Sequence, residues 1–328
     1  MQDTGIRGEP FFSGHSCRDA EPFQDRYQLL TNDVVCIAVA PVLVDVCVRR
    51  RLDPVPFLLA LAAAANVGSA ATLIGNPQNM LIGQSLHLSF ASYLLDGCVP
   101  AITGLGFVWW ILARRYRGTF ERELPGALVA EQPFDRGHTT KGAIVLGALV
   151  VGLLGCPLPR EVMAMVAGGA VLVSRRITPR ALFAHVDWQL LVLFAGLFVC
   201  NRAFQMAGHA ATGFAWLAEH GVDLHQPTTL FATAAIGSNV ISNVPLTMLL
   251  LPAAQHPQAG PVLCLATTLS GNLLLVGSIA NLIVVEHAVR AGIRPRTRGW
   301  FGEHVRTGVP ITVATLTIAV VWLLVRNG

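Results

Sequence analysis

Residues 65–83 combine an apolar composition with amide and hydroxyl side chains that can coordinate a solute. They read ANVGSAATLIGNPQNMLIG. Pro77 lacks a backbone donor, and Gly68 and Gly75 favour non-helical backbone angles, so a continuous helix is disfavoured here. An interruption at membrane depth frees backbone N–H and C=O groups, which bind ions and small solutes in membrane proteins. The chemistry that this stretch predicts is coordination, not bond-making.

A second stretch, residues 269–284, repeats the pattern near the end of the chain. It reads LSGNLLLVGSIANLIV, and a shift of about 202 positions places Gly277 on Gly75 and Asn281 on Asn79. A further pair of motifs, LTNDV and ISNVP, precedes the two stretches in the same order. Two motifs that recur in the same order indicate a duplicated unit.

Composition assigns these stretches to a membrane protein. The chain is 53% hydrophobic and only 13% charged, where soluble domains average about 25% charged residues. We therefore expect an all-α polytopic membrane protein. The net charge of +4 does not indicate a nucleic-acid partner, because the arginines cluster at the ends of apolar segments. The seven cysteines are scattered without a CxxC pair, so neither a metal site nor a disulfide framework is expected.

Arginine clusters predict the topology and the division of the chain. Arg49–Arg51, Arg114–Arg117 and Arg175–Arg176 follow or precede apolar segments and indicate the cytoplasmic side. With these anchors, the LTNDV and ISNVP segments approach the membrane centre from opposite faces, so the two repeats are expected to be inverted. The predicted division is a polar leader, a first repeat, a cytoplasmic linker and a second repeat: 1–27, 28–113, 114–140 and 141–327. The leader is expected to be disordered, because its polar composition cannot form a core.

Four motifs resemble the ion transporter superfamily, which includes citrate-transporter-like permeases, arsenite permeases and divalent anion/sodium symporters. They are TND at 31–33, NxGxAATLIGxPxN at 66–79, SNVP at 242–245 and GNLLLVGSIAN at 271–281. The resemblance covers about residues 28–327. It implies two inverted repeats, each with a re-entrant helical hairpin and a broken transmembrane helix, and an elevator-type movement.

The resemblance also implies sodium ligands at the hairpin tips. The symporter branch has Ser-Asn-Thr at each tip, whereas this chain has Thr31-Asn32-Asp33 and Ser242-Asn243-Val244. The resemblance implies that Asn32 and Asn243 are ligands for Na⁺. It does not imply dicarboxylate specificity, because neither tip has the Ser-Asn-Thr sequence of that branch. Because only the polar leader precedes the first tip, where the family has several spans, the first repeat is expected to be incomplete.

The candidate substrate- and ion-binding residues share small or polar side chains at the tips and in the two interrupted stretches: Thr31, Asn32, Asp33, Asn66, Gly68, Ser69, Thr72, Gly75, Asn76, Asn79, Ser238, Asn239, Ser242, Asn243, Gly271, Asn272, Gly277, Ser278 and Asn281. No catalytic residue and no resident cofactor are expected, and the coupling ion is Na⁺ or H⁺. The expected surroundings are membrane lipid, a small anionic solute and a second copy in a homodimer, in a multi-pass protein of the inner membrane.

Alternative functions remain open from the sequence. A secondary transporter of a small anion is the main prediction, with an arsenite efflux permease carrying a neutral species, a transport-inactive remnant and a channel as alternatives. Asp33 is either linked to the coupling ion or adjacent to a water-filled pocket. Hydrolase chemistry is disfavoured because no His or Lys accompanies Ser69 or Ser242 in the interrupted stretches.

Overall fold

The polar stretches interrupt helices in the computed structural model, which describes residues 31–118, 136–156, 158, 160–172, 188–296 and 298–327. The predicted leader, most of the predicted linker and the Arg175–Arg176 anchor lie outside the described residues. The described part forms α-helices and two short 3₁₀ turns and contains no strand. The helices are α1 (Asn32–Arg49), α2 (Pro54–Ser69), α3 (Pro77–Ser85), α4 (Phe90–Arg115), α5 (Arg136–Gly155), α6 (Arg160–Leu172), α7 (Trp188–Met206), α8 (His209–Glu219), α9 (Pro227–Ile241), α10 (Asn243–Leu250), α11 (Ala259–Ser270), α12 (Ile279–Arg290) and α13 (Gly299–Asn327).

The first interruption separates α2 from α3 and has a local cause at each end. Pro77 occupies the first position of α3, where its missing N–H costs little, and the Asn76 side chain accepts from the Asn79 amide at 2.8 Å. The helix after the break ends at Ser85. The next helix begins at Phe90, because Ser89 caps it by accepting from the Ser92 amide.

The second interruption separates α11 from α12 and contains a 3₁₀ turn, Leu275–Gly277. The ISNVP tip upstream of this break is almost entirely helical. Only Ser242 separates α9 from α10, with a φ of 79°. The chain stays helical on both sides because Pro245 falls in the first turn of α10, where a backbone donor has no helical partner.

Two long helices, α4 and α13, pack against each other in antiparallel directions. Tyr116, just after α4, donates to Glu303 near the start of α13 at 2.9 Å, while Asp96 pairs with Arg326 at the opposite end at 2.6 Å. Burial and the neighbouring Glu303 raise the pKa of Tyr116, so its hydroxyl keeps the donated proton. Of the described helices, these two are long and apolar enough to cross a membrane by length and composition.

The helices around the two breaks pack in corresponding pairs. α2 packs against α4, and α11 packs against α13. The helices that begin at the two tips contact both halves: α1 packs against α2 and α12, and α10 packs against α9 and α3. Each half therefore contributes its interrupted helix to a common centre.

The Asp96–Arg326 pair gives a first prediction about stability. The Asp96 side chain is 9% exposed and that of Arg326 is 26% exposed, so removing the arginine leaves a mostly buried carboxylate without its partner. We expect Arg326→Gln to lower the free energy of unfolding by about 2 kcal/mol and the double variant Asp96→Asn/Arg326→Gln to regain most of that loss. Thermal unfolding in detergent measures both, and equal losses in the single and double variants would contradict the prediction.

Candidate functional site

The two breaks have the same internal hydrogen bonds. The Nδ2 atom of Asn79 donates to the Ser69 carbonyl at 3.4 Å and to the Thr72 carbonyl at 3.1 Å. The Nδ2 atom of Asn281 donates to the carbonyls of Gly271 at 2.9 Å and Leu274 at 3.3 Å. Each asparagine therefore closes its own loop through residues ten and seven positions upstream. The backbone carbonyls that lack a helical partner at each interruption are thus hydrogen-bonded by the asparagine side chain of the same break.

The breaks also bind each other through reciprocal contacts. The Asn66 amide donates to Asn281 Oδ1 at 3.0 Å, and the Thr268 hydroxyl donates to Asn79 Oδ1 at 3.1 Å. Asn66 and Thr268 are themselves 202 positions apart. Each also accepts from the other break: Asn66 from the Ser278 hydroxyl at 2.9 Å and Thr268 from Asn76 Nδ2 at 3.1 Å. Each of these bonds from one break thus has an equivalent bond from the other break.

Asn66 extends the network to the first tip. Its Oδ1 accepts from Asn32 Nδ2 at 3.0 Å, and its Nδ2 donates to Asn272 Oδ1 at 2.9 Å. The backbone amide of Asn32 donates to the Gly75 carbonyl at 3.0 Å. Thr31 precedes α1 and contributes its carbonyl to the Val35 amide, and Asp33 is buried in the first turn of α1. One amide side chain thus connects both breaks and the first tip.

The second tip lies against the second break. A Cβ on Gly277 would lie 2.9 Å from Asn239 Oδ1, and one on Gly271 would lie 3.1 Å from Asn243 Nδ2. The hydroxyl of Ser238 contacts that of Ser270, at the end of α11. Ser242 holds a positive φ that is rare for residues other than glycine and costs on the order of 1–3 kcal/mol. Strain of this size is common at ligand-binding and switching positions.

Three buried amide oxygens at the tips accept no hydrogen bond from the part of the chain that the structure describes. They are the Oδ1 atoms of Asn32, Asn239 and Asn243. Unpartnered buried acceptors are rare in proteins because they lose the hydrogen bonds that water provides. Amide oxygens are also ligands that hard cations prefer. The site therefore contains acceptors suited to a cation on both tips.

Four helices begin within this network. The first residue of α1 is Asn32 and that of α10 is Asn243, while α3 and α12 begin directly after Asn76 and Ser278. The N-terminus of a helix carries about half a positive charge, so the arrangement favours an anion close to the cation ligands. The sequence places no Lys or Arg in either interrupted stretch.

The structure brings together most of the predicted site residues but gives Gly68 no close-packing role. Gly68 lies within the last turn of α2, and a Cβ there would meet no heavy atom within 4 Å. A Cβ on Gly75 would overlap the Ser69 carbonyl, so glycine is required there. Thr72 takes part through its backbone carbonyl.

Sequence reasoning missed Thr268 and Tyr93. Thr268 is found by applying the repeat shift to Asn66, although the residue type differs. The Tyr93 hydroxyl donates to the Ala70 carbonyl at 2.8 Å and accepts from Asn79 Nδ2 at 3.3 Å. Nothing in the local sequence around Tyr93 indicates this role, because the contact depends on how α4 packs against the break.

A cavity of about 310 Å³ reaches the side of the network at Tyr93. Its wall includes Ser92, Gln258 and the Asp96–Arg326 pair. The cavity lies at the end of α4 that is distant from the arginine cluster.

Apolar helices around a buried polar network with ligand oxygens and helix N-termini define a membrane protein with a solute site. The chain belongs to the citrate transporter family, which it matches over residues 28–269. It is 28% identical to the silicon efflux transporter LSI3 of Oryza sativa, over 89% of this chain and 75% of that protein. It is 27% identical to a 46 kDa membrane protein of Mycobacterium leprae, over 91% of this chain and 74% of that protein. It is 31% identical to the inner membrane protein YbiR of Escherichia coli, over 79% of this chain and 65% of that protein. The chain is therefore a membrane transporter, and the family indicates transport and not catalysis.

Proposed function

We propose that the protein is a secondary active transporter that moves a small anion across the inner membrane, coupled to Na⁺ or H⁺. The observation that carries this proposal is the joined pair of breaks, in which Asn66 bonds to Asn281 and Thr268 bonds to Asn79. The helix N-termini supply positive potential for the anion, and the amide oxygens of both tips supply ligands for the cation. The candidate anions are a di- or tricarboxylate, sulfate or an oxyanion of arsenic.

The antiparallel course of α4 and α13 supports inverted repeats. These helices occupy the same position in the two halves, each packing against the first arm of its own interrupted helix. If both cross the membrane, their opposite directions require a two-fold axis in the membrane plane. Re-entrant tips at Asn32 and Asn243, an elevator movement and a homodimer complete the proposed transport unit.

A neutral oxyacid is the second candidate substrate. The interrupted stretches lack Lys and Arg, so amide and hydroxyl groups dominate the site, and these bind a neutral hydroxylated solute as readily as an anion. The rice relative is named a silicon efflux transporter. Arsenite and silicic acid therefore belong in the same substrate panel as the carboxylates and sulfate.

Uptake into proteoliposomes tests the proposal. We expect saturable uptake of one panel member, driven by an imposed Na⁺ or proton gradient and abolished when the gradient is collapsed. Flux that rises linearly with solute concentration would indicate a channel instead. Absence of gradient-driven uptake for citrate, succinate, sulfate, arsenite and silicic acid would contradict the proposal.

The tip asparagines give a prediction about the coupling ion. Alanine at Asn32 or Asn243 removes an amide oxygen that accepts no hydrogen bond from the described residues. If Na⁺ binds there, we expect each variant to raise the Na⁺ concentration for half-maximal uptake about tenfold or more, since a lost ligand is worth at least about 1.4 kcal/mol.

Asn201 on α7 provides the matched control, because its Oδ1 is also buried without a described partner but lies outside both tips. Asn201→Ala should leave the Na⁺ dependence unchanged. Equal shifts in all three alanine variants, or none in the tip variants under Na⁺-driven uptake, would contradict the assignment of the tip asparagines.

A further inference from the structure

The cavity beside Tyr93 has a charged and polar wall that the amide network does not use. Its volume of about 310 Å³ lies at the lower end of the range for small-molecule sites, roughly 300–1,000 Å³. Arg326, Ser89 and Ser92 line it. Tyr93 is also part of the wall, and its hydroxyl donates to the Ala70 carbonyl of the first break at 2.8 Å. The cavity and the first break therefore share one side chain.

Arg326 contributes to this wall a guanidinium group that is only partly paired. Its Nε atom lies 2.6 Å from Asp96 Oδ1. Within the described residues, the two terminal amino groups form no further ion pair. A planar guanidinium with donors to spare is well suited to an oxyanion or a carboxylate. The Oγ atom of Ser89 accepts from the Ser92 amide at 3.4 Å, so its own O–H can donate to a ligand as well.

Two contacts between α4 and α13 hold the guanidinium in place. One is the ion pair with Asp96. The other lies one turn earlier on α13, where Trp322 Nε1 donates to the Leu95 carbonyl at 3.3 Å. A long side chain that is ordered before the ligand arrives loses less conformational entropy on binding. The end of α13 therefore presents a preorganised cation to the cavity.

Helix ends around the cavity leave a small positive potential. α4 begins directly after Ser89 and α11 directly after Gln258, and both residues line the cavity. Each helix N-terminus carries about half a positive charge, and the C-terminus of α13 carries about half a negative charge. Asp96 offsets most of the charge of Arg326. The balance favours an anion, while the carboxylate keeps its binding weak.

We propose that this cavity binds one small oxyanion or carboxylate, held by the terminal amino groups of Arg326 and the hydroxyl of Ser89. Asp96 limits the affinity, because its carboxylate is a like charge beside the bound anion. The choice of ligand rests on the proposed function, since the anion is of the class that the protein is proposed to transport. The cavity adds a fixed cation to that function, which both interrupted stretches lack.

Protection of an introduced thiol from N-ethylmaleimide tests the site without requiring transport. Ser92→Cys places the thiol in the wall, because Ser92 is exposed and lines the cavity. The measured quantity is the rate of its modification in detergent, read by mass spectrometry, as sulfate replaces sodium chloride at constant ionic strength. Cys156 is an exposed cysteine directly after α5 and serves as the internal control. We expect sulfate to slow modification of the introduced thiol severalfold and to leave that of Cys156 unchanged.

Two variants of the ion pair make the result specific. Asp96→Asn removes the like charge, so we expect the sulfate concentration for half-maximal protection to fall at least about fivefold. Asp96→Asn/Arg326→Gln lacks the guanidinium without leaving a buried charge unpaired, so protection should be lost. A gain in affinity cannot result from poor folding, and the double variant is expected to be nearly as stable as the parent.

Absence of protection in the Ser92→Cys protein overturns the proposal, as does equal protection in the double variant. Equal protection by silicic acid would show that a neutral solute is bound and would also overturn it. Because modification is read without flux, protection stands as evidence for the site even if no uptake is found. Gradient-driven uptake of an anion without protection removes this site and leaves the proposed function. Where uptake is measured, the double variant should raise the anion concentration for half-maximal uptake at least about fivefold.

Discussion

Asn66→Leu is expected to reduce gradient-driven uptake at least about 100-fold. The substitution keeps the side-chain volume similar but removes every polar contact at the centre of the network. Asn32, Ser278, Asn272 and Asn281 each lose a hydrogen-bond partner in a buried site. Each unsatisfied group costs about 1–3 kcal/mol, and a loss of about 3 kcal/mol in the transporting conformation already corresponds to about 100-fold.

Asn66→Asp tests the N–H donor contacts of this side chain independently of its acceptor contacts. A carboxylate still accepts from Asn32 and Ser278 but loses the two N–H bonds that reach Asn272 and Asn281 on the second break. We expect uptake by this variant to be strongly reduced as well. Such a result would show that the contacts required for transport are those from Asn66 to the second break. Gln84→Ala is the control, since Gln84 is an exposed amide on α3, the helix that follows the first break, and its replacement should leave uptake unchanged. Near-normal uptake by Asn66→Leu would contradict the central role of the network.

Gly75→Ala is expected to prevent the first break from closing. The added Cβ would overlap the Ser69 carbonyl and lie 2.7 Å from the Ser69 Cα. These atoms belong to the backbone, so they cannot move aside as a flexible side chain does. The Gly75 carbonyl also accepts from the Asn32 amide, which means that shifting the loop breaks its contact with the first tip. We expect a loss of about 1–3 kcal/mol in stability and of at least tenfold in uptake.

Gly106→Ala provides the matched control for this substitution. Gly106 lies within α4, and a Cβ there would meet no heavy atom within 4 Å. Because alanine favours helix over glycine by roughly 0.5–1 kcal/mol, this variant should be as stable as the parent or more stable. Thermal unfolding and uptake are measured on both. Similar behaviour of Gly75→Ala and Gly106→Ala would show that the close approach at Gly75 is not needed.

The network explains why the two halves resemble each other most at the breaks. A helix that stops inside a membrane must satisfy its freed carbonyls within the protein. Asn79 and Asn281 do this in their own loops, and the reciprocal bonds of Asn66 and Thr268 then satisfy the Oδ1 atoms of these two asparagines across the interface. The second half has a threonine where the first has an asparagine, and the hydrogen bonds of Thr268 described above do not include one to its tip, whereas Asn66 bonds to Asn32.

Residue type and order were enough to predict the all-helical membrane class, both interruptions, their relation by a shift of about 202 positions and the family. The reason is that these features are local: proline, glycine and asparagine change the backbone where they stand, and apolar length determines what a membrane accepts. Tertiary structure decided which groups meet. Asn66 and Asn281, and Thr268 and Asn79, are brought together by helix packing across most of the chain. Hydrogen bonds between residues about 200 positions apart depend on the relative placement of whole helices, and that placement is set by the summed packing of many side chains.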